Sequence, residues 1–392
     1  MSHAHCAFRF MRVAIYHNIL WSKYKGVVFS QVHLDGEPRG ITPSFIQIAE
    51  TEEIRLGLGG VDLSYHQYPF RLLFRGSYGN APLIRRIGAL ARDLYKYPVD
   101  LVIMPGYHRA EYWAMLAVCI LLRRKRAVFC DSTLTDRPRT AWRDLAKRWF
   151  FGLCNGFFCY GIRSKEYLMS YGVSESKIAY RCQAAALPHG YSVARVLSHY
   201  QLNWHGRADE PHFLYVGRLS TEKGLDDLFA AFGILYKRFP RARLDLVGAG
   251  PLADELKKRV ANLKMTQAIS FLGSRSLEDI AVLFQTCTAL VLPSHSEPWG
   301  LVVNEALSYG CPVVVSSACG CVPDLVRDGL TGYSFEVGNV DDLAKAMDAV
   351  RDFSNNREAV ARKCLDVMSD YTPERASSQI LDGCMRMVGS TG

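Results

Sequence analysis

Residues 213–225 read FLYVGRLSTEKGL, a short apolar run that is followed by a glycine turn and the start of an amphipathic stretch. The same arrangement recurs after four further apolar runs, Leu244–Val247, Ile269–Leu272, Ala289–Leu292 and Pro312–Val315. Short β-rich runs that alternate with helical patterns are typical of a parallel sheet with helices on both faces. The second half of the chain is therefore predicted to be a doubly wound α/β domain.

The first half shows a weaker form of the same alternation. Its apolar runs are Arg12–Tyr16, Leu101–Met104, Ala127–Cys130 and Gly156–Tyr160. The pattern breaks near Leu187–Glu210, where Pro188 and Gly190 interrupt it. The sequence therefore predicts two domains, residues 1–195 and 205–370, with a last helical segment over 371–392 that follows a break at Pro373.

Composition and charge narrow the classes of protein. The chain has 392 residues, of which 49% are hydrophobic and 22% charged, so disorder and a disulfide scaffold are not expected. Residues 1–200 hold 27 Lys and Arg against 14 Asp and Glu, a net charge of +13, whereas the remainder has −4. This excess indicates an anionic partner, unless it is a solvated basic face. No nucleic-acid-binding motif accompanies it, so we expect a membrane surface or a phosphorylated substrate and no nucleic acid.

The cysteines and the apolar runs bear on the compartment. The twelve cysteines include no Cys-x-x-Cys pair, and most lie in apolar runs, where a free thiol packs as a small hydrophobe. The longest apolar run, Trp113–Leu122, is about half the ~20 residues of a membrane-spanning helix. No signal peptide is recognised at the start of the sequence. We expect free thiols and a cytoplasmic protein.

The turn after the run 213–216 carries two cations. In doubly wound sheets, ligands bind beyond the carboxyl ends of the strands. Arg218 and Lys223 flank a turn that opens at Gly217 and leads into a helix start near Gly224. A diphosphate suits that arrangement by charge and by helix dipole. The alternative is a surface loop in which Arg218 and Lys223 pair with Glu222.

The loop after Ala289–Leu292 carries two carboxylates. Pro298 suits a first helical turn, which would leave the N–H groups of residues 299–301 as free donors. Glu297 precedes that turn and is a candidate acceptor for sugar hydroxyls, and Glu305 is a candidate acceptor for both hydroxyls of a ribose. The alternative is that Glu297 caps the helix and Glu305 is solvated.

These motifs resemble a known family. The run SEPWGLVVNEALSYGCPVV, with Glu297 and Glu305 spaced as E-x7-E, resembles the signature of glycosyltransferase family 4, enzymes of the GT-B fold. YVGRLSTEKG, LVGAGP, FLGS and VPDLVRDGLTGY match it in order, over about residues 211–350. The resemblance implies two Rossmann-like domains that face a central cleft, an N-terminal one for the acceptor and a C-terminal one for a nucleotide sugar. It also implies that the helix at 371–392 packs back on the N-terminal domain.

The same resemblance implies roles for individual residues. Arg218 and Lys223, with Gly217, would hold the donor diphosphate, which the backbone at Gly300 and Leu301 also meets. Glu305 would bind the nucleotide ribose and Glu297 the transferred sugar. Family members typically place an N-domain histidine near the sugar, for which His108 is the candidate unless it is an ordinary loop histidine. Asp131 is a weaker candidate for the acceptor.

The implied chemistry retains the anomeric configuration and uses no metal or other cofactor. The sequence contains no Asp-x-Asp, the usual ligand motif for a metal-bridged diphosphate, so the two cations would stabilise the leaving group. We expect transfer of a hexose from a UDP- or GDP-sugar to a lipid-linked or membrane-associated glycan, as in polysaccharide or lipopolysaccharide assembly. The alternatives are a non-catalytic GT-B scaffold subunit and a basic nucleic-acid-binding protein.

Three features of the first half bear on the acceptor. Lys23 and Lys25, in the turn after the first run, are candidates for an anionic acceptor. The amphipathic stretch Arg137–Leu153 is either a membrane face or core, and core is the more ordinary role for its aromatic residues Trp142, Trp149 and Phe150. The cluster Arg123–Arg126 is then the better candidate for a peripheral contact with anionic lipid.

Overall fold

The computed structural model describes residues 10–55, 59–134, 140–202 and 208–389. Two compact units are present. The N-terminal unit comprises residues 1–132, 138–186 and 372–392, and the C-terminal unit comprises 133–137 and 187–371. Both are parallel α/β folds, as the alternating apolar runs predict.

A seven-stranded parallel sheet forms the centre of the N-terminal unit. Its strands are β1 (Met11–Ile19), β2 (Ile41–Ala49), β3 (Phe70–Leu72), β4 (Leu101–Met104), β5 (Lys125–Cys130), β6 (Gly156–Cys159) and β7 (Ile178–Tyr180), in the order β3-β2-β1-β4-β5-β6-β7. The helices between them are α1 (Lys23–Gly36), α2 (Leu83–Lys96), α3 (Ala110–Leu121), α4 (Ala141–Gly152) and α5 (Ile162–Ser170). Strands β1, β4, β5 and β6 are buried nearly throughout, which is why they stand out in the sequence as apolar runs.

The C-terminal unit has a six-stranded parallel sheet. Its strands are β8 (His212–Val216), β9 (Arg243–Val247), β10 (Ile269–Gly273), β11 (Ala289–Leu292), β12 (Val313–Ser316) and β13 (Gly332–Phe335), in the order β10-β9-β8-β11-β12-β13. Its helices are α6 (Val193–Leu202), α7 (Leu225–Arg238), α8 (Ala253–Asn262), α9 (Leu277–Thr286), α10 (Leu301–Ser308), α11 (Val322–Leu325), α12 (Val340–Val350) and α13 (Arg357–Met368). The strand order reverses direction between β8 and β11, so the carboxyl ends of these two strands flank the switch point of the sheet.

The boundary between the units lies at residue 187, where the break in the sequence pattern begins, and so before the predicted domain end at 195. Residues 187–195, which the sequence prediction assigned to the N-terminal domain, belong to the C-terminal unit. The reason is that α6 packs against α13, and the Tyr200 hydroxyl donates to the Tyr309 carbonyl oxygen at 2.6 Å. Position 205, the predicted start of the second domain, lies outside the described residues.

The last helix, α14 (Pro373–Gly389), returns to the N-terminal unit. It packs against α1, β6 and β7, and Arg39 forms a salt bridge to Asp382 at 3.0 Å. The resemblance predicts this return, and Pro373 begins the helix, a position that suits proline.

The cluster Arg123–Arg126 is not the open cationic patch that the sequence suggests. Arg123 is exposed, but the other three side chains are half-buried and donate to carbonyl groups at helix C-terminal ends. Arg124 donates to the carbonyl oxygens of Leu94 and Tyr97. Lys125 donates to those of Met387 and Val388, and Arg126 donates to that of Leu153. Cations at these ends satisfy free carbonyls and favour the helix dipole. The cluster therefore stabilises α2, α4 and α14.

Of the three aromatic residues of α4 that were predicted to be core, only one is buried. Phe150 is buried as predicted, but Trp142 and Trp149 are each 69% exposed and Leu145 is 65% exposed. The helix buries Phe150 and Phe151 instead, so its opposite side faces outward. Arg137, where the amphipathic stretch was predicted to begin, lies outside the described residues.

All eleven cysteines within the described ranges are buried free thiols. Cys287 and Cys311 approach each other with their Sγ atoms 3.4 Å apart, without a disulfide. In the part of the chain that the structure describes, no helix combines the length and apolar character needed to cross a membrane.

Candidate functional site

Two loops at the switch point of the C-terminal sheet bring the predicted residues together. One loop follows β8 and the other follows β11, which pair as neighbours. Gly224 joins the loops closely: its φ is +64°, and a Cβ there would lie 2.1 Å from the Pro293 carbonyl oxygen. The His295 N–H donates to the Glu222 carbonyl oxygen at 2.9 Å, and its ring lies 2.7 Å from an Asp227 carboxylate oxygen. These contacts fix the two loops against each other.

The first loop contains a compact polar network. Arg218 donates to the Glu222 carboxylate at 2.6 Å, and the Ser220 hydroxyl donates to the same oxygen at 2.7 Å. Burial opposes the ionisation of Glu222, but the hydrogen bonds from Ser220 and Arg218 outweigh it and lower its pKa to about 2. The buried Tyr215 donates to the Arg218 carbonyl oxygen at 2.8 Å and so holds the turn. The sequence alternative, an Arg218–Glu222 pair, is therefore present in the free protein.

Lys223 and Glu297 meet across the two loops. Their Nζ and carboxylate oxygen atoms lie 2.5 Å apart, and the two side chains are only 16% and 19% exposed. The backbone of Glu297 is fixed in turn, because its carbonyl oxygen accepts the Gly320 N–H at 2.9 Å. A half-buried ion pair at the carboxyl edge of a sheet places one cation and one carboxylate within reach of the same ligand.

The helix α10 begins at Leu301, after Gly300. Gly300 adopts a left-handed conformation with φ +96°, which ends the loop, so Pro298 precedes the helix and does not lie in its first turn as predicted. Among the described residues, no acceptor is found for the N–H groups of Gly300 and Leu301. Free N–H groups at a helix start favour an anion. The helix start with free N–H groups that the sequence predicts is therefore present among the described residues, although the helix begins later in the chain than predicted.

Glu305 lies in the second turn of α10 and is half-buried. Within the described ranges, its carboxylate forms neither a hydrogen bond nor a salt bridge, and burial raises its pKa to about 7. It is therefore neither a cap nor a simply solvated helix residue. An unpaired carboxylate in a partly dry position is available to accept hydrogen bonds from a ligand.

His108 belongs to the N-terminal unit, in the turn between β4 and α3. Its ring is exposed and packs edge-to-face on Tyr112, with centroids 5.7 Å apart. Asp131 is exposed directly after β5. Both residues follow carboxyl ends of strands in the N-terminal sheet, as the alternation of runs predicts.

Several supporting residues were not identified from the sequence. Tyr215, Ser220, Asp227 and His295 hold the two loops, and Asn304 accepts the indole N–H of the buried Trp299 at 2.7 Å. Their positions beside the motif residues are a signal, but only the folded loops show which partner each one meets.

Comparison with known proteins shows what this part of the chain is similar to. Residues 203–364 match the family described as glycosyl transferases group 1. Glycogen synthase of Mycobacterium tuberculosis is 34% identical over 178 residues, which cover 44% of this chain and 43% of that protein. Sulfoquinovosyl transferase of Arabidopsis thaliana is 29% identical over 178 residues, 45% of this chain and 33% of that protein. The matched segment spans less than half the length of these relatives.

The structural comparison extends over both units. The crystal structure of HepE from Anabaena, in complex with UDP and glucose, has a TM-score of 0.69 and 18% sequence identity. The match covers 95% of this chain and 98% of that one. A glycosyltransferase from Rickettsia africae has a TM-score of 0.71 at 17% identity, over 97% and 99% of the two chains. The chain therefore has the GT-B fold, and its residues 203–364 match the family of glycosyl transferases group 1.

Proposed function

We propose that this protein is a retaining, metal-independent glycosyltransferase of family 4. It moves a hexose from a UDP- or GDP-sugar to a hydroxyl of a lipid-linked or membrane-associated glycan. The observation that carries the proposal is the Lys223–Glu297 pair, which joins the two loops at the switch point. It lies beside the N–H groups that open α10, which have no acceptor in the part of the chain that the structure describes.

The donor fits the site by charge. A diphosphate would bind the N–H groups of Gly300 and Leu301, which have no acceptor among the described residues, and replace the carboxylates that now neutralise Arg218 and Lys223. Glu297, released from Lys223, is then placed to accept hydrogen bonds from the sugar hydroxyls. Glu305, which has no partner within the described residues, would accept from the ribose hydroxyls.

The transfer step follows from these roles. The bond between the anomeric carbon and the diphosphate oxygen breaks, and a bond to the acceptor oxygen forms on the same face. The proton of the acceptor hydroxyl passes to the departing phosphate oxygen. Arg218, Lys223 and the N–H groups of α10 stabilise the negative charge that develops on that diphosphate. In this proposal His108 lies near the sugar, and the absence of Asp-x-Asp from the sequence supports a mechanism without a metal.

A donor screen tests the proposal. UDP- and GDP-linked hexoses are incubated with the full chain, and release of the free nucleoside diphosphate is measured with and without EDTA. HepE was solved with UDP and glucose, so UDP-glucose is the first donor to try. We expect release from one donor, unchanged by EDTA. Release from none would refute the enzyme proposal, and loss of release with EDTA would refute the metal-independent mechanism.

The exposed face of α4 supports the membrane part of the proposal. Trp142, Leu145 and Trp149 recur at intervals of three and four residues, so they form one apolar stripe on the helix surface. The exposed Arg143 and Arg148 lie on the same helix. Aromatic residues with neighbouring cations are suited to the interface of an anionic membrane.

Vesicle binding tests this surface. The double variant Trp142→Ser/Trp149→Ser should reduce binding to vesicles with anionic phospholipid by about tenfold or more, because two exposed indoles are lost. Its melting temperature should stay near that of the wild type, since neither side chain is core. Val282→Ser, at a 58% exposed position on α9, is the matched control. Unchanged vesicle binding of the double variant would refute this placement.

A further inference from the structure

Two cations lie inside the N-terminal unit at the carboxyl edge of its sheet. Lys25 stands in the first turn of α1, after β1, and is 3% exposed. Arg181 directly follows β7 and is fully buried. Neither residue belongs to the donor site, which lies in the C-terminal unit.

The two cations share the same neutral partners. Arg181 Nη1 donates to the Tyr160 hydroxyl at 3.1 Å, and Lys25 Nζ donates to the same oxygen. Both cations also lie against the rings of Tyr160 and Phe129, at 4.5–5.5 Å from the ring centroids. One hydroxyl oxygen therefore accepts from both basic side chains.

The pair forms no salt bridge within the described residues, and its one anionic neighbour there is Asp131, which acts on Lys25 without contact. Nε and Nη2 of Arg181 are buried without any hydrogen-bond acceptor, and neither cation forms a salt bridge there. Burial and the charge of Arg181 hold the pKa of Lys25 well below its usual range, and Asp131 opposes this only in part. Buried charges are normally paired, and an unpaired guanidinium is costly to bury. The arrangement is therefore incomplete without an anion.

The cluster lies at the edge of the sheet where ligands bind in this class of fold. Tyr160 follows β6 and Arg181 follows β7, so both lie beyond carboxyl ends of parallel strands, the usual place of ligands in such sheets. The ring centroid of the half-buried Tyr24 lies 5.1 Å from Lys25 Nζ. Asp131, which follows β5, is exposed. The cluster thus extends from the interior to the surface.

We infer that Lys25 and Arg181 bind an anionic group, a phosphate or a carboxylate, carried by the acceptor. The planar fork of Arg181 offers Nε and Nη2, two nitrogens without acceptors among the described residues, to the oxygens of such a group. An anion there would also favour the charged form of Lys25. This inference rests on the proposed function, because it names the acceptor of that reaction as an anionic molecule.

Anion binding is tested on the full chain by thermal unfolding, with inorganic phosphate and acetate as probes and chloride at equal ionic strength as the reference. At about 100 times its dissociation constant, phosphate or acetate should raise the melting temperature by about 4 °C. Lys223→Ala, which alters the donor site, should keep this shift. Arg181→Met should lose it, and it should be at least as stable as the wild type when neither probe is present, because a buried unpaired charge is removed.

The outcomes separate the possibilities. A larger shift with phosphate than with acetate identifies a phosphate site, and the reverse identifies a carboxylate site. An equal shift in Arg181→Met, or a lower melting temperature of that variant without a probe, would overturn the inference. Lys25→Met is the second variant and should also lose the shift.

Turnover supplies a readout that separates this inference from the proposed function. With a donor from the screen, the wild type should prefer acceptors that carry the favoured anionic group over neutral ones by about 10–100-fold, and Arg181→Met should lose that preference. Donor use without such a preference would overturn the anion site and leave the transferase proposal standing. Anion binding at Arg181 without use of any donor would support the anion site and refute the transferase proposal.

Discussion

Lys223→Ala should lower kcat/KM for the nucleotide sugar by about 10²–10³-fold. In the proposed mechanism Lys223 supplies a positive charge where the diphosphate gains negative charge as it leaves, and loss of one such group typically costs that much. Both side chains reach the surface, so the loss should cost less in free energy of unfolding than the about 3–5 kcal/mol of a fully buried pair.

Lys258→Ala is the matched control for that experiment. Lys258 is an exposed lysine on α8, so its replacement removes the same charge from the C-terminal unit away from the two loops. Steady-state kinetics and thermal unfolding are measured on both variants. Equal kcat/KM values for Lys223→Ala and Lys258→Ala would contradict the role of Lys223.

Glu305→Gln should stabilise the free protein at pH 8 and weaken its donor binding. Burial raises the pKa of Glu305 to about 7. Between pH 4.5, its ordinary pKa, and pH 7, Glu305 is ionised in the unfolded chain but still protonated in the folded one. The free energy of unfolding of the wild type therefore falls as pH rises through this window. Glutamine carries no such cost. The free energy of unfolding of the variant should equal that of the wild type near pH 4 and exceed it by about 2 kcal/mol at pH 8. This value is reduced because Glu305 is partly exposed.

Donor affinity should change in the opposite direction. In the proposed site an ionised carboxylate would accept the ribose hydroxyls more strongly than an amide oxygen does, so Glu305→Gln should raise the donor dissociation constant by about 10–100-fold at pH 8. Wild-type affinity should rise between pH 6 and pH 8, and that of the variant should not. A variant that is less stable at pH 8, or that binds donor as well as the wild type, would contradict this role.

The C-terminal fold follows from the sequence because its strands are short, buried on both faces and almost wholly apolar. β8, β9, β10, β11 and β12 all form where apolar runs predict them. β13 was not predicted, since its sequence GYSF includes half-buried polar and aromatic residues. β2 was also missed, because ITPSFIQIA mixes polar residues with a proline, although its pairing with β1 is extensive.

The candidate site was predictable in its residues but only partly in its geometry. Motif spacing selects Lys223, Glu297 and Glu305, yet it does not reveal that the first two pair with each other or that Glu305 lacks a partner within the described residues. The left-handed turn at Gly300 moves the start of α10 past Pro298. This displacement depends on the backbone conformation of Gly300, and a glycine can adopt several conformations, so the sequence does not determine where the helix begins.

Side-chain environments in the N-terminal unit were the least predictable. Periodicity identifies the apolar face of α4 but not whether the sheet covers it, and Trp142 and Trp149 turn out to be exposed. Arg181 carried no sequence signal at all, because a single arginine after a strand is ordinary. Its significance comes only from complete burial beside Lys25.

The positive charge of the first half has more than one role. Arg124, Lys125 and Arg126 donate to helix ends and so serve the fold. Arg143 and Arg148 accompany the exposed stripe on α4. The net charge of this half alone therefore did not indicate which cations meet a partner, whereas the folded environment of each side chain separates them.

The most direct measurement of the central claim is a calorimetric titration of the full chain with UDP, GDP and their parent nucleosides. We predict that one nucleoside diphosphate binds, and that its nucleoside binds at least about tenfold more weakly, because the contacts to Lys223, Gly300 and Leu301 require the diphosphate. Failure of both diphosphates to bind, or equal affinity for diphosphate and nucleoside, would contradict a donor site at these two loops.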